Sequence, residues 1–545
     1  MDSLSGTFWD VVIAGTGLQQ SLLALSLSRS GKKVLHADKN RYYGGFEAAF
    51  TLQEAEEWLN KGDEDSPLRP FRKASSVPQA SLDGSNKAPK LSARAYSLAL
   101  SPQLLYARSS LLQALISSKV YRQLEFLAVG SWWIYVPRDR SETGEALTSS
   151  HGELKKVPNG REDIFSDDLI DLRSKRSLMK FLKFVADYEN MSEVWSDYAS
   201  IPFSEFLRSR FGISMSLQAP LLALTLSPVS PSETPTSFAL PRIARHLRSM
   251  GVFGPGFGAV LPKWGGGAEI AQVACRACAV GGGVYVLDEG ISDVSNAPAD
   301  QGEMPGQVGS SAHHPVAVTL SSGETVNTLW LVGSPDDIPK KSGTTRSGNE
   351  PESPTREEVT SKSISIVSSP LTGLFPQTAE AGPVPAGAVV VFPPETLLTE
   401  EKVAENQPPV YIMVHSSDSG ECPSGQCILY SSVFISGDEG QATLDLAVNR
   451  LLSSLGEDPK SCLLWSMRYS QQGPSLHSGV VSSCEERSPG QIFFPRSSNG
   501  LAFDDELLNN VKCAYEKIVG SDNEDSSFMA FSDREVPTSY MSDEE

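Results

Sequence analysis

Asp10-Val-Val-Ile-Ala-Gly-Thr-Gly-Leu-Gln-Gln20 decides the fold. Asp10 to Gly15 is a short apolar run of buried-strand type, and Gly15-Thr-Gly17 makes a tight turn. From Leu18 to Ser30 apolar residues recur at helical spacing, among them Leu18, Leu22 and Leu25, until Gly31 ends the pattern. Lys33-Val-Leu-His-Ala-Asp38 then reads as a second strand. A strand, a helix and a strand within about 30 residues open a doubly wound parallel sheet, which sets the class as α/β.

The same stretch carries a dinucleotide fingerprint with one departure. Gly15 allows the turn, and Gly17 lets the backbone approach a pyrophosphate at the helix N-terminus. Gln20 stands where a third glycine would let helix and strand pack closely. Asp38, 23 residues past Gly15, is placed for a ribose hydroxyl. Two readings follow: an FAD site in an oxidoreductase, or an inherited scaffold whose glycines shape a turn and hold no cofactor. The large side chain at Gln20 favours the second.

The chain has 545 residues, enough for two to four domains or one large α/β core with insertions. Its 46 Lys and Arg against 66 Asp and Glu leave a net charge of −20, which repels phosphate backbones and argues against nucleic acid as a partner. Seven cysteines scattered through such a length do not form a secreted disulfide framework. No basic leader precedes an apolar stretch, no run of about 18 apolar residues occurs, and Met541-Ser-Asp-Glu-Glu545 is not a prenylation box. The expectation is a cytoplasmic protein.

Composition and periodicity suggest a division. Residues 1–119 form the first part of an FAD-binding-like doubly wound sheet domain, with 60–90 an inserted loop. Gln103 to Phe126 has a helical pattern. Residues 120–228 read as a smaller, mainly helical domain that ends at the proline-rich stretch up to Pro235. Residues 229–334 and 386–519 return to the first domain. Residues 335–385, rich in Ser, Gly, Pro and charge, are expected to be a disordered insertion, as is 295–315, and 520–545 a solvated acidic tail.

After Asp38 comes Asn40-Arg-Tyr-Tyr-Gly-Gly45, two aromatics ahead of a glycine turn, a composition typical of protein-binding surfaces. Together with Asp10 to Leu18 and Gly31 to Asp38, this segment resembles the opening of the superfamily of Rab GDP-dissociation inhibitors and Rab escort proteins. Four further segments agree in order: Ser118-Lys-Val-Tyr-Arg-Gln-Leu-Glu-Phe126, Leu154-Lys-Lys-Val-Pro158, Met179-Lys-Phe-Leu-Lys-Phe-Val-Ala186 and Ala274-Cys-Arg-Ala-Cys-Ala-Val-Gly-Gly-Gly-Val-Tyr285. Cys275 to Val280 and Glu421-Cys-Pro-Ser-Gly-Gln426 resemble the escort branch in particular.

The resemblance implies a non-catalytic binding protein on a flavoprotein-like scaffold, with no cofactor. Its partners would be GDP-bound Rab GTPases, the catalytic heterodimer of Rab geranylgeranyltransferase, the geranylgeranyl lipid and, transiently, a membrane. It places the Rab-binding platform on Tyr43 and on a Glu-x-x-Gln-x-x-x-Arg helix matched by Glu269, Gln272 and Arg276. These spacings of 3, 4 and 7 put the three on one helical face. Leu104, Leu105 and Tyr106 are candidates to take the Rab C-terminus. Leu178, Phe181, Leu182, Leu221, Leu222 and Leu224 are candidates to line a lipid groove, with ordinary core as the competing reading. Gly15, Gly17 and Asp38 would be vestiges of the dinucleotide motif.

Two departures stand out. Trp264-Gly-Gly-Gly-Ala-Glu269 is one residue longer than the usual turn of the superfamily, and Val284 and Val286 replace a threonine and a methionine of the inhibitors' platform. Cys275 and Cys278 read as small core residues rather than a zinc pair, the seven histidines show no metal-ligand spacing, and no catalytic constellation is present.

Overall fold

Phe8–Ala14 is a strand whose Val11, Val12, Ile13 and Ala14 are all buried, as expected where both faces of a sheet are covered. It pairs in parallel with Val34–Asp38 on one side and with Thr325–Gly333 on the other. Val284–Leu287 joins in parallel outside Val34–Asp38, and Gln491–Phe493 runs parallel to the end of Thr325–Gly333. The antiparallel strands Val316–Leu320, Ile291–Asn296 and Glu485–Ser488 complete an eight-stranded sheet among the described residues. The helix Leu18–Leu27 is buried on every side, packed on this sheet and against the helices Gly267–Val280 and Glu506–Val519. The computed structural model describes residues 4–60, 71–78, 91–137, 152–158, 164, 170–296, 315–339, 358–378, 380, 382–394, 396–397, 407–456, 462–474, 483–520 and 528–532.

A second sheet of ten strands, mostly antiparallel, runs in the order Phe71–Pro78, Leu463–Gly473, Glu358–Val367, Cys427–Val433, Val410–Ser416, Gly387–Phe392, Phe126–Val136, Ala259–Pro262, Leu105–Tyr106, with Glu153–Lys156 paired to Phe126–Val136. One face packs against the helix Gly437–Leu455 through Leu444, Ala447, Val448 and Leu451. The other supports a helical layer of Leu172–Val185, Phe203–Phe211, Met215–Thr225 and Thr236–Ser249. That layer closes on five phenylalanines, Phe181, Phe184, Phe203, Phe206 and Phe211, with ring centroids 5.3–6.5 Å apart.

The structure departs from the expected division in five places. Within the supposed loop 60–90, Leu52–Asn60 is a helix that reaches its first residue, and Phe71–Pro78 is an edge strand of the second sheet, anchored by Phe71 against Trp58 and Tyr469. Gln103 to Phe126 is not one helix: Leu105–Tyr106 is a strand, Ser110–Ser117 the helix, and Phe126 begins the next strand. Residues 120–228 are only partly helical, since Phe126–Val136 and Glu153–Lys156 belong to the second sheet. The helical layer also continues past Pro228, because Pro235 sits at the N-cap of Thr236–Ser249, where a proline costs no hydrogen bond.

The fourth departure is the largest. Glu358–Val367, inside the expected disordered insertion, is an inner strand held by Leu463–Gly473 and Cys427–Val433. Its serines mislead because they are buried with partners: Ser361 Oγ donates to the Ile435 carbonyl at 2.6 Å, and Ser365 and Ser466 share a bond of 3.1 Å. Residues 297–314 and 340–357 lie outside the described residues. In the tail, residues 528–532 pack rather than being solvated: Met529 is buried, Phe528 meets Tyr515 edge-on and Arg29 lies over Phe531. The rest of the tail lies outside the described residues.

Candidate functional site

The turn after the first strand is built as the fingerprint requires. Gly15 has φ +87°, a left-handed angle that glycine adopts freely, and Gly17 is the N-cap of Leu18–Leu27. What surrounds the turn is the chain's own acid. Asp38 Oδ2 accepts from Thr16 N at 2.7 Å and Thr16 Oγ1 at 2.5 Å, while its Oδ1 accepts from Asn40 N at 2.7 Å and Asn40 Nδ2 at 2.9 Å. Glu47 Oε2 accepts from Leu18 N at 3.0 Å, at the helix N-terminus where a pyrophosphate would be held. Asp337 crowds Gly15 so closely that an added Cβ would stand 2.4 Å from its Oδ2, and Gln20 Nε2 donates to that oxygen at 3.3 Å.

These residues do not fit a dinucleotide. The oxygens meant for a ribose are taken by Thr16 and Asn40, and two carboxylates occupy the space for an anionic pyrophosphate. Burial pushes Glu47 up to about 7, against the opposing pull of its bonds to Leu18 N and Ser497. Burial likewise raises Asp337, despite its ion pair with Lys39 at 3.3 Å. Neither Glu47 nor Asp337 was marked by the sequence reading, since no local pattern connects them to Gly15 and Gly17.

The filled turn fastens the neighbouring surface. Thr16 Oγ1 accepts from Gly44 N at 3.1 Å, so Asp38, Thr16 and Gly44 tie the Tyr42–Tyr43 turn to the end of the first strand. Tyr43 emerges half-buried, its ring 6.2 Å from Tyr285, and burial followed by the nearby Cys275 and Asp38 raises its phenol. Tyr285 in turn leans on His36 at 4.7 Å. Burial lowers His36 to about 4, which keeps the imidazole neutral at the centre of this support.

Beside Tyr43 runs the helix Gly267–Val280. Ala268, Ile270, Ala271, Val273, Ala274, Cys275 and Cys278 are its buried face. Cys275 lies 3.5 Å from Ser21 Oγ, and both cysteines pack as small core groups beside the first helix. The outward face carries half-buried Glu269 and exposed Gln272 and Arg276, at the spacings read from the sequence. Burial raises the Glu269 carboxyl, opposed by Arg276 nearby. Val280 at the helix end is 62% exposed and Val284 is 36% exposed, so apolar side chains border the polar stripe. Val280 was not singled out from the sequence; its only signal was an apolar residue ahead of Gly281-Gly-Gly283.

The remaining candidates fare differently. Leu104, Leu105 and Tyr106 are 2–3% exposed, locked by the Leu105–Tyr106 strand and the bridge from Leu104 to Ala502. They offer no side chain to an incoming peptide, a correction to the expected tail site. Phe181 is fully buried, and Leu178, Leu221 and Leu224 are buried core of the helical layer; Leu182 and Leu222 lie half-buried at its margin. Among the described residues no three His, Cys, Asp or Glu side chains gather as a metal-ligand group, and no helix is long and apolar enough to cross a membrane.

Along most of its length the chain is similar to known proteins. The chain is 29% identical over 566 residues to the Rab proteins geranylgeranyltransferase component A of Saccharomyces cerevisiae, covering 94% of this chain and 84% of that protein. It is 24% identical over 575 residues to Rab escort protein 1 of Arabidopsis thaliana, covering 94% and 93%. The fold matches the crystal structure of a Rab GDI from Plasmodium falciparum with a TM-score of 0.59, at 18% identity over 94% of this chain and 98% of that one. Residues 5–307 match the family profile described as GDP dissociation inhibitor, more than half of the chain. The chain belongs to the GDP dissociation inhibitor family.

Proposed function

We propose that the chain is a Rab escort protein, the non-catalytic component A of Rab geranylgeranyltransferase. It binds a GDP-bound Rab GTPase, presents the GTPase's C-terminal cysteines to the catalytic heterodimer, and carries the lipidated product to a membrane. What supports this reading is the outward stripe of Glu269, Gln272 and Arg276 on Gly267–Val280, with half-buried Tyr43 near Cys275 of the same helix, beside a nucleotide turn filled by Glu47 and Asp337. A scaffold that has closed its own cofactor site keeps its outer surface for a partner. Preference for GDP would follow from contact with GTPase segments whose order depends on the nucleotide.

Escort also requires shelter for a 20-carbon chain, whose exposure to water costs on the order of 10 kcal/mol. In this reading the helical layer supplies the shelter. Its phenylalanines fill the space between the helices, so Leu182 and Leu222 mark the margin at which the layer would part.

The test is reconstitution. Purified catalytic heterodimer, geranylgeranyl diphosphate and a GDP-loaded Rab GTPase are combined with and without this protein. Lipid transfer is expected to rise from background to many turnovers when the protein is added. No stimulation together with extraction of prenylated Rab from vesicles would make it a dissociation inhibitor instead. Neither activity would end the reading.

A further inference from the structure

Trp264 is held in a left-handed conformation by contacts from distant parts of the chain. Its φ is +66°, a left-handed angle that is strained for a bulky residue, although the next two positions, Gly265 and Gly266, are glycines that take such angles freely. Its indole is 50% exposed and so only half-buried. The backbone is pinned at both ends: Trp264 N donates to the Ser419 carbonyl at 2.9 Å, and Ser97 Oγ donates to the Trp264 carbonyl at 2.6 Å. The ring rests on Gly420, where an added Cβ would stand 2.3 Å from Cδ1 and 2.4 Å from Nε1. Lys263 Nζ lies 4.7 Å from the ring centroid and is itself tied to Glu125 at 2.9 Å.

The support beneath is equally ordered. Ser416 Oγ accepts from Asp418 N, Ser419 Oγ donates to the Ser416 carbonyl, and Ser419 Oγ accepts from Glu421 N. Glu421 is fully buried; its Oε2 takes bonds from His415 Nδ1 at 2.8 Å and Tyr430 OH at 2.9 Å, and its carbonyl accepts from Ser97 N. Thus both residues that pin Trp264 are fixed through one buried acid. Gly266, two residues on, is the N-cap of the helix that bears Glu269, Gln272 and Arg276, so the exposed indole stands just ahead of the start of that helix.

We infer that Trp264 is an aromatic anchor for the same GDP-bound GTPase, extending the surface of Tyr43, Glu269, Gln272 and Arg276; the inference rests on the function proposed above. A rigid, half-exposed tryptophan contributes large contact area with little side-chain entropy to lose, and backbone strain of this kind collects at sites that bind. Its expected counterpart is an apolar depression on the GTPase.

Trp264→Gly separates anchor from scaffold, because glycine accepts φ +66° without strain. Its melting temperature is expected to fall by no more than about 3 °C, since relief of strain offsets part of the packing lost from the half-buried ring, while affinity for a GDP-loaded Rab GTPase, measured by titration calorimetry, falls about tenfold or more. Trp264→Phe should retain most of the affinity, and Gly420→Ala, which evicts the ring from its seat, should reproduce the loss. Wild-type affinity in Trp264→Gly, with affinity lost in Arg276→Ala, would overturn the anchor and leave the proposed function standing. A larger fall in melting temperature together with lost affinity in Trp264→Gly, with normal binding by Gly420→Ala, would reduce Trp264 to a structural role and overturn it equally. Wild-type binding by Trp264→Gly and Arg276→Ala alike would overturn the anchor and move the binding face elsewhere on the molecule, and no binding of a GDP-loaded Rab GTPase by the wild type would sink the proposed function itself.

Discussion

Arg276→Ala and Tyr43→Ala are each expected to weaken capture of a GDP-loaded Rab GTPase by about 30-fold or more, while the melting temperature moves by no more than about 2 °C. The two expectations have one basis. Arg276 is exposed on the outward face of Gly267–Val280, remote from the packing of that helix on its neighbours, and Tyr43 sits half-buried on a turn held by Thr16 and Asp38 rather than by its own ring. Losing either side chain removes contact area and polar complementarity without opening a cavity. A loss of about 2 kcal/mol at an interface centre corresponds to the stated factor. The two variants should differ in salt dependence. Removing the guanidinium lowers the sensitivity of the association rate to ionic strength, and removing the phenol leaves it unchanged. Wild-type affinity in both variants would move the binding face elsewhere on the molecule.

Glu47→Gln is expected to change how stability depends on pH. Burial holds this carboxyl at about 7 in the folded chain, above its value of 4.5 when unfolded. An acid raised by folding leaves stability intact below the unfolded value. As pH climbs from 4.5 through 7 the unfolded chain ionises first, and stability is lost by an amount approaching about 3 kcal/mol. Glutamine keeps an oxygen for Leu18 N and an amide toward Ser497, but it has no proton to lose. The variant should therefore match the wild type near pH 4.5 and exceed it at pH 8 by up to that amount in urea unfolding. Buried His36 and His246, both lowered to about 4, act in the opposite sense, with stability falling as pH drops from 6.5 through 4. They are common to both proteins and cancel in the difference. Parallel stability curves from pH 4.5 to 8 would show that Glu47 is not held protonated by its surroundings.

The outward placement of the proposed platform residues was legible because the pattern that carries it is local. Glu269, Gln272 and Arg276 share one turn-by-turn repeat of a single helix, and Tyr43 lies in a contiguous motif beside the strand that ends at Asp38. Leu104 to Tyr106 were misread for the complementary reason. An apolar triplet looks the same whether it faces solvent or a neighbouring strand, and Ala259–Pro262 lies more than 150 residues away. Glu358–Val367 was hidden by its serines, whose hydroxyls find partners only across the sheet.

From the chain of letters alone came the strand–turn–helix opening, the α/β class, the outward stripe of Gly267–Val280 and the weakness of the nucleotide motif at Gln20. Each depends on residues close together in sequence, where helical and strand periodicity expose burial directly. Tertiary structure alone decided that Glu47 and Asp337 fill the turn at Gly15 and Gly17, that Glu358–Val367 is an inner strand, and that Ser97 and Ser419 pin the backbone of Trp264. In every such case the interacting groups are tens to hundreds of residues apart. Their contact is a consequence of how two sheets and a helical layer pack, and no local pattern records it.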